Sequence, residues 1–156
     1  DREMFVLSKI VNLIIYAENV LRAKFFLVHR GPYDAIAWFR SLVIAGLISK
    51  KEAAPGISYA KANIYRINRV VLVRVPVEIS LARSLGSSTK DDLVRDAIFL
   101  EALYRAYEEL EKELPRGSLI IDGTLPIEEN VDIILKATSS LWPNPSISKE
   151  LIFNTS

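Results

Sequence analysis

Three short apolar runs, each ending abruptly and each separated from the next by a long stretch of helical spacing, decide what this chain can build. The first is Phe25-Phe26-Leu27-Val28, ending in His29-Arg30-Gly31-Pro32. The second is Val70-Val71-Leu72-Val73-Arg74-Val75, closed by Pro76. The third is Ser118-Leu119-Ile120-Ile121-Asp122, followed by Gly123-Thr124-Leu125-Pro126. Short apolar runs bounded by glycine and proline read as buried strands. The long connections between them read as crossover helices, so the strands are parallel and the helices cover the sheet. The expectation is an α/β fold with a three-layer parallel sheet, its strands over 24–29, 70–75 and 118–122. Three strands are few for this much helix, which points to missing sheet.

Helices are expected over 3–22, from Gly31-Pro32 to about 47, around 58–66, and over 77–85, 91–114 and about 126–138. In the first, Phe5, Val6, Ile10, Leu13, Ile14, Ala17 and Leu21 fall at helical spacing. Leu7, Val11 and Ile15 widen that stripe, so this helix expects covering on more than one side. Residues 49–57 read as a polar connection and 87–90 as a flexible loop. Pro115-Arg116-Gly117 stops the longest helix. Residues 1–138 are expected to form one domain, and 139–156, rich in serine with two prolines, a loosely attached tail.

At 156 residues the chain is one domain by length, large enough for a core. Its net charge is +1, so nothing global argues for a nucleic acid polymer or an anionic membrane as partner. There are no cysteines, which removes disulfides and thiolate metal sites and fits a cytoplasmic setting. The single histidine, His29, rules out a multi-histidine metal cluster. No apolar run reaches the ~20 residues of a membrane span. The opening Asp-Arg-Glu lacks an initiator methionine, so the chain is expected to begin inside a longer protein.

Residues 24–38 carry the strongest functional signal. A strand that ends in an arginine and a turn delivers a permanent cation to the carboxyl edge of a sheet, where open α/β folds bind ligands. A guanidinium there suits a phosphate or another anion.

Taken in order, the segments resemble the thymidylate-kinase and deoxynucleoside-kinase branch of the P-loop kinases. His29-Arg30 stands where that family ends a strand in an acidic-Arg dipeptide, and Gly31 to Phe39 resembles the helix that follows. Val71 to Arg83 is similar to the family's strand, proline and L-x-R helix. Ser84 to Arg95 resembles its lid, Phe99 to Glu108 the helix after the lid, and Ile120 to Thr124 the end of its fifth strand. The resemblance spans roughly residues 5–138. There are two departures: no G-x-x-x-x-G-K-[ST] occurs anywhere, and His29 replaces the acidic residue. The missing loop is the part whose backbone N–H groups, lysine and Ser/Thr hold phosphates and Mg²⁺. A neutral imidazole does neither the water-mediated Mg²⁺ binding nor the base chemistry of a carboxylate.

The resemblance implies ATP-dependent phosphoryl transfer to a nucleoside or nucleoside monophosphate, with ATP and Mg²⁺ as cofactors and the phosphate loop upstream. Arg30 would hold the acceptor side or bridge the transferring group; otherwise it is a solvated or paired strand-end arginine. Asp34 would contact the nucleoside, or serve its helix dipole. Trp38, with Phe39, is a stacking platform or core. Arg83 would lie against adenine beside Gly123, Thr124 and Leu125, or be a surface arginine. That turn also reads as Thr124 capping a helix with Pro126 in its first turn. Lys90 and Arg95 would be catalytic cations of a closing lid, or a solvated helix start with Arg95 paired to Asp91. Tyr104 and Tyr107 fit core positions, and Glu101, Glu108, Glu109 and Glu111 a solvated face. The rival class is a non-catalytic kinase-like module that binds a nucleotide or a protein; a third reading is an α/β interaction domain unrelated to nucleotides. Without the loop and its strand this chain alone is not expected to turn over. Apolar surface left where that strand would lie is expected to promote aggregation or a homodimer.

Overall fold

The computed structural model describes residues 2–22, 26–86 and 92–141. Among these residues six α-helices, α1 (Arg2–Asn19), α2 (Pro32–Ile44), α3 (Lys50–Lys61), α4 (Val77–Leu85), α5 (Ala97–Glu111) and α6 (Ile127–Thr138), accompany two strands, β1 (Val71–Arg74) and β2 (Leu119–Asp122). The strands pair in parallel, Val71 with Leu119 through Arg74 with Asp122. The chain is therefore a helix-rich α/β protein.

Two expectations about the sheet are corrected. Among the described residues the sheet has two strands, not three, and residues 26–28 form no strand. Residues 24 and 25 of that expected strand lie outside the described residues. Backbone N–H and C=O groups make a strand only when a neighbour takes them, and Leu27 is 87% exposed instead. Among the described residues the three-layer arrangement is absent too. Leu72 and Ile121 are buried, but their partners across the ladder, Ile120 and Val73, stay 49% and 53% exposed, so each face of the sheet is covered over one strand and open over the other.

The core is mainly helical. Leu7 and Val11 of α1, Tyr33, Ile36 and Ala37 of α2, Ala60 of α3, and Ala106 and Leu110 of α5 form one buried cluster. Pro32 opens α2, where its missing N–H costs nothing.

Three helix boundaries differ from the sequence reading for local reasons. The expected polar connection over 49–57 is largely α3, which starts at a capping box: the Ser49 hydroxyl accepts from the Glu52 amide, and the Glu52 carboxylate accepts from the Ser49 amide. The helix runs through Pro55 and Gly56, and Gly56 is required because a Cβ there would lie 2.4 Å from the Phe39 ring. Only a 3₁₀ turn, Ile64–Arg66, continues the helix expected to reach 66. The long helix expected from 91 to 114 is broken. A 3₁₀ turn, Leu93–Arg95, precedes Asp96, which is extended and accepts from the Ile98 and Phe99 amides as the N-cap of α5.

Both strands feed their helices through proline. Pro76 and Pro126 are the N-cap residues of α4 and α6, with nearly identical backbone angles (φ −53°, ψ 145° and 146°).

Candidate functional site

The carboxyl end of β1 opens into a small cleft of about 130 Å³ between the start of α4 and one face of α5. Arg74 and Val75 supply its floor from the strand, Val77 and Ser80 one wall, and Leu100, Leu103, Tyr104 and Tyr107 the other. The helical spacing of 100, 103, 104 and 107 puts those four side chains on one face of α5.

Tyr107 links this cleft to the arginine turn. Its hydroxyl donates to the carboxylate of Asp34, in the first turn of α2. Burial raises the Tyr107 pKa far above the usual tyrosine range; the Asp34 charge and the hydrogen bond raise it further, while the nearby Arg30 charge opposes them. Tyr107 is thus a hydrogen-bond donor at any physiological pH. Arg30 itself is exposed and adopts φ +58°, the left-handed region that disfavours a residue with a Cβ. Strain of this kind concentrates at functional positions. Asp34, chosen from sequence, is therefore held by Tyr107, read there only as a core residue, and Tyr107 also feels the charge of Arg30.

Trp38 lies one helical turn after Asp34 and is half-buried. Its ring meets Phe99 of α5 edge-on, with centroids 5.1 Å apart at 68°. Its Nε1 is buried with no hydrogen-bond partner. The edge-on contact is that of a packed aromatic pair between two helices.

The second group of candidates meets on the other strand. Arg83 of α4 donates from Nη1 to the carbonyl of Gly123 at 3.0 Å, bridging 40 residues of sequence. Gly123 continues the ladder, its amide donating to the Arg74 carbonyl at 2.7 Å. A Cβ on Gly123 would come within 2.5 Å of Val75 and 2.7 Å of Val73, so only glycine lets the turn pass this close to β1. The capping role read for Thr124 is corrected. Its amide and hydroxyl both donate to the Asp122 carboxylate, at 2.8 and 2.7 Å, and Pro126 precedes α6 as its N-cap. These hydrogen bonds hold the Asp122 carboxyl below its usual range. Leu125 is held in the same turn, its carbonyl and that of Asp122 facing the Asn130 amide group.

Of the lid candidates, Arg95 is half-buried in the 3₁₀ turn ahead of α5, away from the Arg30 turn in sequence and on a different element. Lys90, and Asp91 as the partner proposed for Arg95, lie outside the described residues.

Arg74 is a residue that sequence reading passed over. Its Nη2 donates to the Tyr104 hydroxyl and to Glu108, each at 3.0 Å, its Nε lies 3.3 Å from Glu111, and its guanidinium covers the Tyr104 ring at 5.1 Å. The signal was present: one arginine inside an otherwise apolar strand must find partners where the strand ends. Glu108 and Glu111, read as a solvated face, are those partners. Among the described residues, no three histidine, aspartate or glutamate side chains gather to hold a metal ion, and no helix is long and apolar enough to cross a membrane.

No protein-family model, curated protein or solved structure matches the chain. The functional reading therefore rests on geometry and on the motifs quoted above.

Proposed function

We propose that this chain is the acceptor- and adenine-side part of an ATP-dependent nucleoside or nucleotide kinase, similar to thymidylate kinase, whose phosphate loop lies upstream. One observation carries the reading: Tyr107, which lines the cleft at the carboxyl end of β1, donates to Asp34 in the first turn of α2, the helix that follows the Arg30 turn. Ligands of open parallel sheets bind at that edge. Arg83, donating to Gly123 at the end of the neighbouring strand, supports an adenine position on the same edge.

In this reading Arg30 binds the acceptor phosphate or the transferring group, Asp34 accepts a hydroxyl of the acceptor, and Tyr107 fixes the Asp34 carboxylate. Arg83 and the 123–125 turn flank adenine, while Lys90 and Arg95 belong to the lid. ATP supplies the phosphoryl group, and Mg²⁺ is expected to be held mainly by the upstream loop. A cleft of about 130 Å³ is below the ~300 Å³ of a complete small-molecule site. An additional strand beside β1 would enlarge the sheet and complete the wall of this cleft.

The native N-terminal sequence tests this directly: a strand followed by G-x-x-x-x-G-K-[ST] ahead of Asp1 is expected. In that protein Arg30→Ala should abolish turnover and leave the circular dichroism spectrum unchanged. Wild-type turnover in the variant would refute the assignment.

A second reading, a kinase-like module that binds nucleotide without turnover, is favoured by His29. It stands where the family carries its acidic residue, and Asp34, the next carboxylate along the chain, is already engaged by Tyr107. Tight nucleotide binding with no product in an acceptor screen would select it.

A further inference from the structure

The amino ends of the two strands, opposite the cleft, gather cations without acids. Arg69 precedes β1, Arg116 precedes β2, and Lys136 lies in the last turn of α6. Arg69 ties these segments together. Its Nη1 donates to the Ala137 carbonyl at 3.1 Å, and its guanidinium lies 3.5 Å from where a Cβ would stand on Gly117. Ala137 follows Lys136 and Gly117 follows Arg116, so the three cations meet at one end of the sheet. The bond to the last turn of α6 sets a cation against the negative helix end and fixes the guanidinium in advance. The sequence accounts for the lack of acid. Residues 53–77, 114–121 and 133–141, which lead to and from this end, contain no aspartate or glutamate. The other three cations in those stretches are used: Lys61 pairs with Glu113, Arg66 with Glu18, and Arg74 with Glu108 and Glu111. Among the described residues Arg69, Arg116 and Lys136 make no ion pair, and Asp132, one turn before Lys136, is not paired with it. The amides of Arg116 and Gly117 also donate to nothing among the described residues. At the far end of β2, by contrast, the Asp122 carboxylate takes up the Thr124 amide.

We infer that this end of the sheet is a docking surface for an acidic segment of a partner protein. Charge complementarity is the argument, and shape selects the occupant. Arg116 and Lys136 are exposed, and neither the cleft beyond β1 nor the groove beside Arg105 and Glu109 reaches them. Small ligands bind in concave sites that bury most of their surface. A peptide with several carboxylates needs no cavity, since it can set one acid against each cation. The guanidinium fork takes a carboxylate through two bonds, and the free amides of the turn suit the same group. Three cations are few for a nucleic acid, whose affinity grows with the number of phosphates neutralised. The surface and the cleft are separated by the length of a four-residue strand, about 13 Å. A partner held here leaves the cleft open, so the protein can be anchored while its site is in use.

Docking at this end does not depend on the phosphoryl-transfer reading. The probe is a fluorescein-labelled hexaglutamate peptide, titrated with the full chain by fluorescence anisotropy at low salt, where surface charge is least screened. The wild-type chain should bind it. Arg116→Glu combined with Lys136→Glu should weaken binding by at least about tenfold. Lys50→Glu combined with Lys51→Glu makes the same change in net charge on exposed residues at the start of α3. That pair should alter binding by less than about twofold, because screening confines the effect of distant charges. In the wild type, an NMR titration with the same peptide should move the Gly117 and Ala137 amides most, which decides the matter even where a variant fails to fold. No binding by the wild type, equal losses in the two double variants, or shifts centred on the cleft beyond β1 would each overturn the inference. So would tighter binding of a dodecathymidylate strand through the same residues, which would make the surface a nucleic-acid site.

Discussion

Tyr107 on α5 donates its phenolic hydrogen to the carboxylate of Asp34 on α2, joining residues 73 positions apart. The bond crosses the interface between the two helices that contribute most to the core, at the edge of the cleft beyond β1. Tyr107→Phe removes the donor and leaves a half-buried carboxylate short of a partner. We expect a loss of about 1–2 kcal/mol in urea denaturation. Adding Asp34→Asn should recover part of it, since the double variant no longer strands a charge.

The same pair sets an alkaline limit. Tyr107 is raised well above the ordinary value of 10.0, first by burial, then by Asp34. Tyr33 is raised as well, by burial and the Glu113 charge. Both stay protonated in the folded chain at pH values where the unfolded chain has ionised them. Stability from these groups is complete below pH 10 and falls as pH rises beyond it. Thermal melts between pH 8 and 11 (~ range bracketing the unperturbed tyrosine value) should show the decline. In Tyr107→Phe its slope should be visibly smaller; an unchanged slope would contradict the burial of this hydroxyl.

Arg30 exchanges stability for placement. At φ +58° an arginine carries steric strain that glycine does not. Arg30→Gly should therefore raise stability by about 0.5–1 kcal/mol, or a melting temperature higher by roughly 2–3 °C. It should also abolish any phosphate-dependent thermal stabilisation. A variant that melts lower would mean that the arginine side chain, not the turn, sustains this segment.

At Gly56 two effects oppose each other. Alanine is the better helix former by about 1 kcal/mol. Its methyl, however, would enter the space of the buried Phe39 ring, 2.4 Å away. Overpacking of this size costs about 1–3 kcal/mol. Steric cost should win, so Gly56→Ala is expected to destabilise by about 1–2 kcal/mol. Phe39→Leu combined with it should cost less than the two substitutions summed.

Asp122 offers a check on the second strand end. Two hydrogen bonds from Thr124 hold its carboxyl below the ordinary 3.8. An NMR titration should find it ionised to lower pH than an unrestrained aspartate. In Thr124→Val, which keeps the amide donor and loses the hydroxyl, the midpoint should move partway back up. The associated stability is present above the ordinary value and is lost as pH falls through the depressed one.

Much of this arrangement was legible in the residues. Val71–Arg74 and Leu119–Asp122 carry the β-branched density of buried strands; both are strands and parallel, as expected, and they pair with each other. Arg83 and Gly123, linked by a motif and not by periodicity, do touch. What failed to show has physical causes. Phe25 to Val28 has the composition of a strand, but pairing is a property of two segments, and composition describes only one. Pro55-Gly56 looked like loop punctuation because proline and glycine usually end helices. Here the Ser49 to Glu52 capping box starts a helix strong enough to pass through them, and Phe39 uses the missing Cβ. Tyr107 passed as core because its ring is core; the hydroxyl finds its partner only when α2 and α5 come together.

The parallel pairing of the two strands also fixes when this protein can be finished. Val70 and Ser118, which open the ladder with a hydrogen bond, are 48 residues apart. α2 and α3 are neighbours in sequence and can close on each other while the rest of the chain is still being made. The sheet cannot begin until β2 has left the ribosome, and the Tyr107–Asp34 bond must also wait for α5. Long loops closed late slow the final step and leave apolar strand surface uncovered in the meantime. Synthesis rate and chaperone supply, more than the stability of the finished fold, should set how much of this chain matures.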